Sequence, residues 1–173
     1  MSNRTADGIS MTKPTETEAA ASPDSPGVIV FPPALFGGTL LVGLVLHFIW
    51  PAHLISGSWV RIAGAILFVA GGALAIWGRK TMVRAGTNVL PTRPALAIVT
   101  DGPFRFTRNP LYLANAVAYL GLTLVFNTVW TLLLYVPMLL VIHWGIIRRE
   151  ERYLEAKFGE TYLAYKARVR RWL

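Results

Sequence analysis

The chain contains no cysteine. Disulfide frameworks, thiolate zinc sites and covalent cysteine catalysis are therefore excluded. Charge is also scarce: only 15% of the 173 residues are charged, and none falls within 26–60, 62–78 or 109–147. A soluble helix needs a polar face, and these stretches have none. Hydrophobic residues make up 54% of the chain and mean hydropathy is +0.47. Since about 20 apolar residues cross the hydrocarbon core of a bilayer, the pattern predicts an all-α, multi-spanning membrane protein. Acidic residues number nine against 17 Lys and Arg, a formal charge of +8. The cations flank the apolar stretches, as the positive-inside rule demands, and no nucleic-acid recognition module accompanies them. Three scattered histidines, His47, His53 and His143, make no metal-ligand spacing.

Residues 1–27, rich in Ser, Thr, Pro, Ala and acidic side chains, read as a disordered tail ahead of a membrane domain over 28–173. Spans are expected at about 33–50, 59–78, 109–126 and 129–147. Trp50, Trp59 and Trp77 stand near span ends, where aromatic belts sit. Gly71 and Ala75 form a small-xxx-small step suited to close helix packing. Asn127-Thr128 is a tight turn, and Pro137 is expected to kink the fourth span. The connector, 79–108, carries Arg79, Lys80, Arg84, Arg93, Arg105 and Arg108 and two turn signals, Leu90-Pro91-Thr92-Arg93-Pro94 and Thr100-Asp101-Gly102-Pro103. Beyond the fourth span, Leu154, Phe158, Tyr162, Tyr165, Val169 and Trp172 recur at helical steps, so 148–173 reads as amphipathic surface helices broken at Gly159. Four spans put the connector and both termini on one side, which the excess of Lys and Arg makes cytoplasmic.

Two polar clusters share that side. One runs from Gly102 to Tyr112 as Gly-Pro-Phe-Arg-Phe-Thr-Arg-Asn-Pro-Leu-Tyr, at the start of span three. The other is Arg148-Arg149-Glu150-Glu151-Arg152, at the end of span four. An antiparallel hairpin makes them neighbours. Arginine binds a carboxylate bidentately, a helix start favours the same anion, carboxylates accept from ammonium or ribose hydroxyls, and aromatic faces attract a cation. The set suits a zwitterionic ligand. A plainer reading stands beside it: Arg105 and Arg108 as interfacial anchors, and Glu150 and Glu151 as helix pairs with Arg148, Arg152 and Lys157.

The first cluster, a hydrophobic hairpin, and then Glu-Glu-x-x-Leu-x-x-x-Phe-Gly-x-x-Tyr-x-x-Tyr together resemble the isoprenylcysteine carboxyl methyltransferase and phospholipid methyltransferase superfamily over residues 80–171. The resemblance implies a membrane methyltransferase that uses S-adenosylmethionine and takes a lipophilic acceptor from the bilayer, a prenylcysteine-like carboxylate or a lipid amine. It matches Arg108, Asn109, Pro110 and Tyr112 to the family's Arg-His-Pro-x-Tyr element, Glu150 and Glu151 to its paired glutamates, and Gly102 and Pro103 to the preceding turn. The expected cofactor contacts are these residues and Arg105, with Arg108 on the cofactor carboxylate. Glu150, Glu151 and Asn109 are the expected catalytic residues. Asn109 replaces the histidine of many members, so a titrating base is missing at that position. Tyr162 and Tyr165 read as packing. A membrane reductase using NADPH is the main alternative, although no Gly-x-Gly-x-x-Gly fingerprint is present. A non-enzymatic membrane subunit is a third.

Overall fold

The computed structural model describes residues 25–173, and the tail expected over 1–27 lies outside them up to residue 24. Helix α1 spans Pro32–Ile49 and α2 spans Trp59–Arg84. Helix α3 is Pro110–Phe126, and α4 is Val129–Val141. A π-helical stretch, Ile142–Ile147, joins α4 to α5, Arg148–Phe158, and α6 is Glu160–Arg168. Among the described residues there is no strand, only one isolated bridge, His53 to Thr128.

Length and apolar composition suit three helices to crossing a membrane: α1, α2 and the continuous run Val129–Phe158. The fourth apolar helix, α3, has 17 residues. The outside of the bundle is apolar, with Phe48 82%, Val69 68% and Leu41 63% exposed. In water those side chains would forgo the burial that drives folding; in hydrocarbon they meet a matching solvent. The chain is an integral membrane helical protein.

Backbone contact sets how α2 meets α3. A Cβ on Gly71 would stand 2.7 Å from both the Ala114 carbonyl oxygen and the Ala118 nitrogen, and one on Gly121 would stand 2.5 Å from the Phe68 nitrogen. The buried face of α2 is therefore Gly64, Gly71 and Gly78, repeating every seventh residue. The expected Gly71–Ala75 step is not this face: Ala75 turns toward a cavity instead. Helix α1 lies along α4, and Phe36, Tyr119, Met138, Ile142 and Ile146 fill the core between the helices.

Asn127 helps to tie the far end of the bundle, beside the His53–Thr128 bridge and the bond from the Trp130 indole to the Trp50 carbonyl. Asn127 adopts a left-handed conformation (φ 51°), as the tight turn requires. Its side chain accepts from the Leu54 and Ile55 amides and donates to the Ile55 carbonyl.

Three boundaries differ from the sequence expectation. Helix α2 runs past Gly78 to Arg84, because charge ends the apolar stretch without ending helix propensity, and a cation suits a helix C-terminus. The helix of the fourth span continues past Ile147 to Phe158, widened by the π stretch downstream of Pro137. Gly159 then breaks the run with φ 51°. Last, the helical stripe stops at Arg168; Val169 is extended, and the final residues turn back toward α3.

Candidate functional site

Six residues, Phe104–Asn109, precede α3 and clasp the end of the chain. The Arg108 amide donates to the Arg170 carbonyl at 2.9 Å. Thr107 Oγ1 and Asn109 Nδ2 both donate to the Arg171 carbonyl, at 3.1 and 3.0 Å. Tyr165 donates its hydroxyl to the Phe104 carbonyl at 2.8 Å. The first three bonds give the Arg170 and Arg171 carbonyls, which lie beyond the end of α6, partners on the approach to α3.

This clasp delivers a second arginine to Glu151. Arg108 Nη2 donates to Glu151 Oε1 at 2.7 Å, and its Nη1 donates to the Lys166 and Val169 carbonyls. Arg171 grips the same carboxylate at two points, Nε donating to Oε1 at 3.0 Å and Nη2 to Oε2 at 2.6 Å. The Arg108 and Glu151 side chains are only 7% and 6% exposed. Two guanidinium groups around one carboxylate leave a net positive site, and Arg108 Nε is buried with no partner among the described residues. A buried donor of this kind is costly unless something accepts from it. Arg171 also lies 3.3 Å from His143 Nε2, and Trp172 Nε1 reaches His143 Nδ1 at 3.3 Å.

Glu150 lives differently. Its Oε2 accepts the Tyr112 hydroxyl at 2.9 Å, and among the described residues it forms no ion pair. Adjacent carboxylates thus have opposite surroundings, one neutralised by two arginines and one held by a phenol.

Two cavities meet at this point. The larger, about 380 Å³, is bounded by α1, α2 and the start of α3, and reaches Arg79, Tyr112, Asn115 and Glu150. The smaller, about 80 Å³, lies beneath the connector against Glu151, Tyr153, Tyr162 and Tyr165. Phe104, Arg108, Asn109 and Glu150 wall both. Burial pushes the Tyr162 hydroxyl above the ordinary tyrosine range, with the Glu151 charge adding to it, and pushes Tyr165 up to about 12. Both phenols are therefore neutral hydrogen-bonding groups at physiological pH.

Of the residues singled out from sequence, the fold brings Arg108, Asn109, Pro110, Tyr112 and Glu150 to the larger cavity and Glu151 to the smaller. Gly102 and Pro103 form a 3-10 turn with Arg105, outside both linings; Gly102 packs on Thr81 and Trp77 of α2. Arg105 is exposed. Sequence reasoning missed Arg171. Its signal was faint: it sits between Val169 and Trp172, both on the inward stripe, but inside a basic run where no charge stands out.

The phospholipid methyltransferase family profile matches residues 59–161, which include α2, the connector, the α3–α4 hairpin and both glutamates. An uncharacterised protein of Haemophilus influenzae is 43% identical over 63 residues, 36% of this chain and 79% of that protein. Phe104, Arg108, Asn109, Tyr112, Glu150 and Glu151 thus fall within the matched region, while Pro32, Pro33, Tyr162, Tyr165 and Arg171 lie outside it, and the chain belongs to the phospholipid methyltransferase family.

Proposed function

We propose that this chain transfers a methyl group from S-adenosylmethionine to a lipophilic acceptor in the membrane. Family membership supports methyl transfer to lipid-like substrates. The observation that carries the finer reading is the contrast between Glu150 and Glu151 at the wall of two joined cavities.

The residues fit the cofactor by type. The partnerless Arg108 Nε offers a donor to a carboxylate, the two glutamates offer acceptors to ammonium or ribose hydroxyls, and Tyr153, Tyr162 and Phe104 offer aromatic faces. The smaller cavity is below the roughly 300 Å³ at which ligand pockets begin, so the connector above it has to yield when the cofactor is held there. When bound, S-adenosylmethionine supplies an electrophilic methyl group on a sulfonium. The protein's task is to align the acceptor in line with that methyl and keep water away.

Asn109 acts as a positioning residue, since its amide holds the Arg171 carbonyl. A carboxylate acceptor needs alignment and desolvation only. An amine acceptor has to lose a proton first, and Glu150 is the base for it: Tyr112 fixes one carboxylate oxygen and leaves Oε1 to take the proton. Glu151, drawn into two arginines, is the poorer base. Pro26 and the last residues of the chain lie on the site side of the bundle, which the concentration of Lys and Arg there assigns to the cytoplasm.

Incubating the protein with methyl-labelled cofactor and membrane lipid tests this. Label that enters a lipid and resists alkali marks an N-methyl product; alkali-labile label marks an ester. Absence of transferred label with folded protein overturns the reading.

A further inference from the structure

The larger cavity has an opening and a cation at it. Helix α2 is packed on α3 and α1 on α4, while α1 and α2, although consecutive in sequence, scarcely touch. A crevice therefore runs between α1 and α2 with α3 behind it. At the site end its walls are Pro32 and Pro33 of α1, Ala75, Arg79 and Met82 of α2, and Leu111 of α3. Arg79 is the unusual member. It is exposed, closes a 17-residue stretch free of charge, and makes no hydrogen bond or ion pair among the described residues. The other charged groups of the cavity, Arg108 and Glu150, are held by protein partners.

We propose that the α1–α2 crevice admits the methyl acceptor from the bilayer, and that Arg79 fixes it by an anionic head while its chain lies along the apolar walls. The proposal rests on the methyl-transfer reading, with the cofactor in the smaller cavity, and assigns the larger one to the acceptor. Its physical basis is charge complementarity: an unpartnered guanidinium at the rim of a largely apolar chamber favours an amphiphile with one negative group at the depth where the hydrocarbon ends. Phosphate and carboxylate heads satisfy that chemistry equally. Arg79 is then a specificity residue that sets which part of the acceptor faces Glu150.

Three single-chain amphiphiles that share an oleoyl tail test this: a lysophosphatidate, oleate and uncharged monoolein. Each is titrated onto the full chain in detergent and read by native mass spectrometry, with wild type, Arg79→Gln, Arg79→Lys and Lys80→Gln. Lys80 is the control, an exposed cation on the same turn of α2 outside the cavity lining. The expected result is preferential retention of an anionic amphiphile, weakened at least about tenfold by Arg79→Gln, partly restored by Arg79→Lys and unchanged by Lys80→Gln. Whether lysophosphatidate or oleate shows the larger loss identifies the head. No preference for anionic over neutral amphiphile overturns the proposal, as does an equal loss in Arg79→Gln and Lys80→Gln, which would mark a general surface-charge effect. No cofactor is present in these titrations, so they stand or fall apart from the methyl-transfer reading.

Discussion

Arg171 grips Glu151, 20 residues away in sequence, through both carboxylate oxygens, and Arg108 shares Oε1 with it. The last turn of chain is thereby made part of the site. Breaking a buried ion pair from one side strands the remaining charges and costs about 3–5 kcal/mol, more than an exposed pair is worth. Glu151→Gln should therefore lower the melting temperature measurably in detergent. Pairing it with Arg171→Gln should recover part of the loss, as a double-mutant cycle followed by thermal melting would show.

Arg171→Lys keeps the charge and loses the two-point grip, because an ammonium is a single compact donor group. Methyl transfer should fall roughly tenfold, about the effect of one charge-assisted hydrogen bond, with the helical circular dichroism unchanged. Activity equal to wild type would reduce the clasp to a tether of the chain end.

Glu150→Gln separates the two acceptor chemistries. If the acceptor is an amine, losing the base should slow transfer about 100-fold or more. If it is a carboxylate, which has no proton to remove, the variant should stay within about tenfold of wild type. Tyr112→Phe frees Glu150 from its one described hydrogen bond and should follow the same direction with a smaller effect.

Alkaline stability carries the signature of Tyr165. In the unfolded chain its phenol ionises near 10, whereas in the fold burial holds it up to about 12. Its contribution is thus complete below pH 10 and is lost as pH climbs through that window, since the unfolded state sheds the proton first. Tyr165→Phe should flatten the decline in melting temperature between pH 10 and 12 relative to wild type.

Two adjacent glycines make opposite predictions. Gly71→Ala drives a methyl into the backbone of α3, where nothing can move aside, and should cost about 1–3 kcal/mol or more. At Gly72 a Cβ meets nothing within 4 Å, so Gly72→Ala should be neutral or stabilising by up to about 1 kcal/mol. Thermal melts of the two variants check the packing face of α2.

These contrasts mark what was legible in the sequence. Charge-free stretches reveal helices that need hydrocarbon, and Asn127-Thr128 reveals the hairpin that brings Tyr112 to Glu150. The heptad of Gly64, Gly71 and Gly78 was harder to see, because a helix apolar all round does not announce which stripe meets protein and which meets lipid. Arg171 was hidden for a related reason: one arginine among several in a basic segment becomes distinctive only once the Thr107 and Asn109 side chains hold its carbonyl and turn its guanidinium toward Glu151. Gly102 and Arg105 illustrate the reverse case. A shared motif placed them beside the site in sequence, while the 3-10 turn aims them at α2 and at the surface.

The proposed methyl transfer requires S-adenosylmethionine to bind in the smaller cavity, beneath the connector and beside Glu151. Calorimetric titration of the cofactor into the protein in lipid nanodiscs, for wild type and for Glu151→Gln with folding verified, tests it most directly. Saturable binding to wild type and at least about tenfold weaker binding to the variant are expected. Folded wild type that takes up no S-adenosylmethionine, or a variant that binds it as well as wild type, would contradict it.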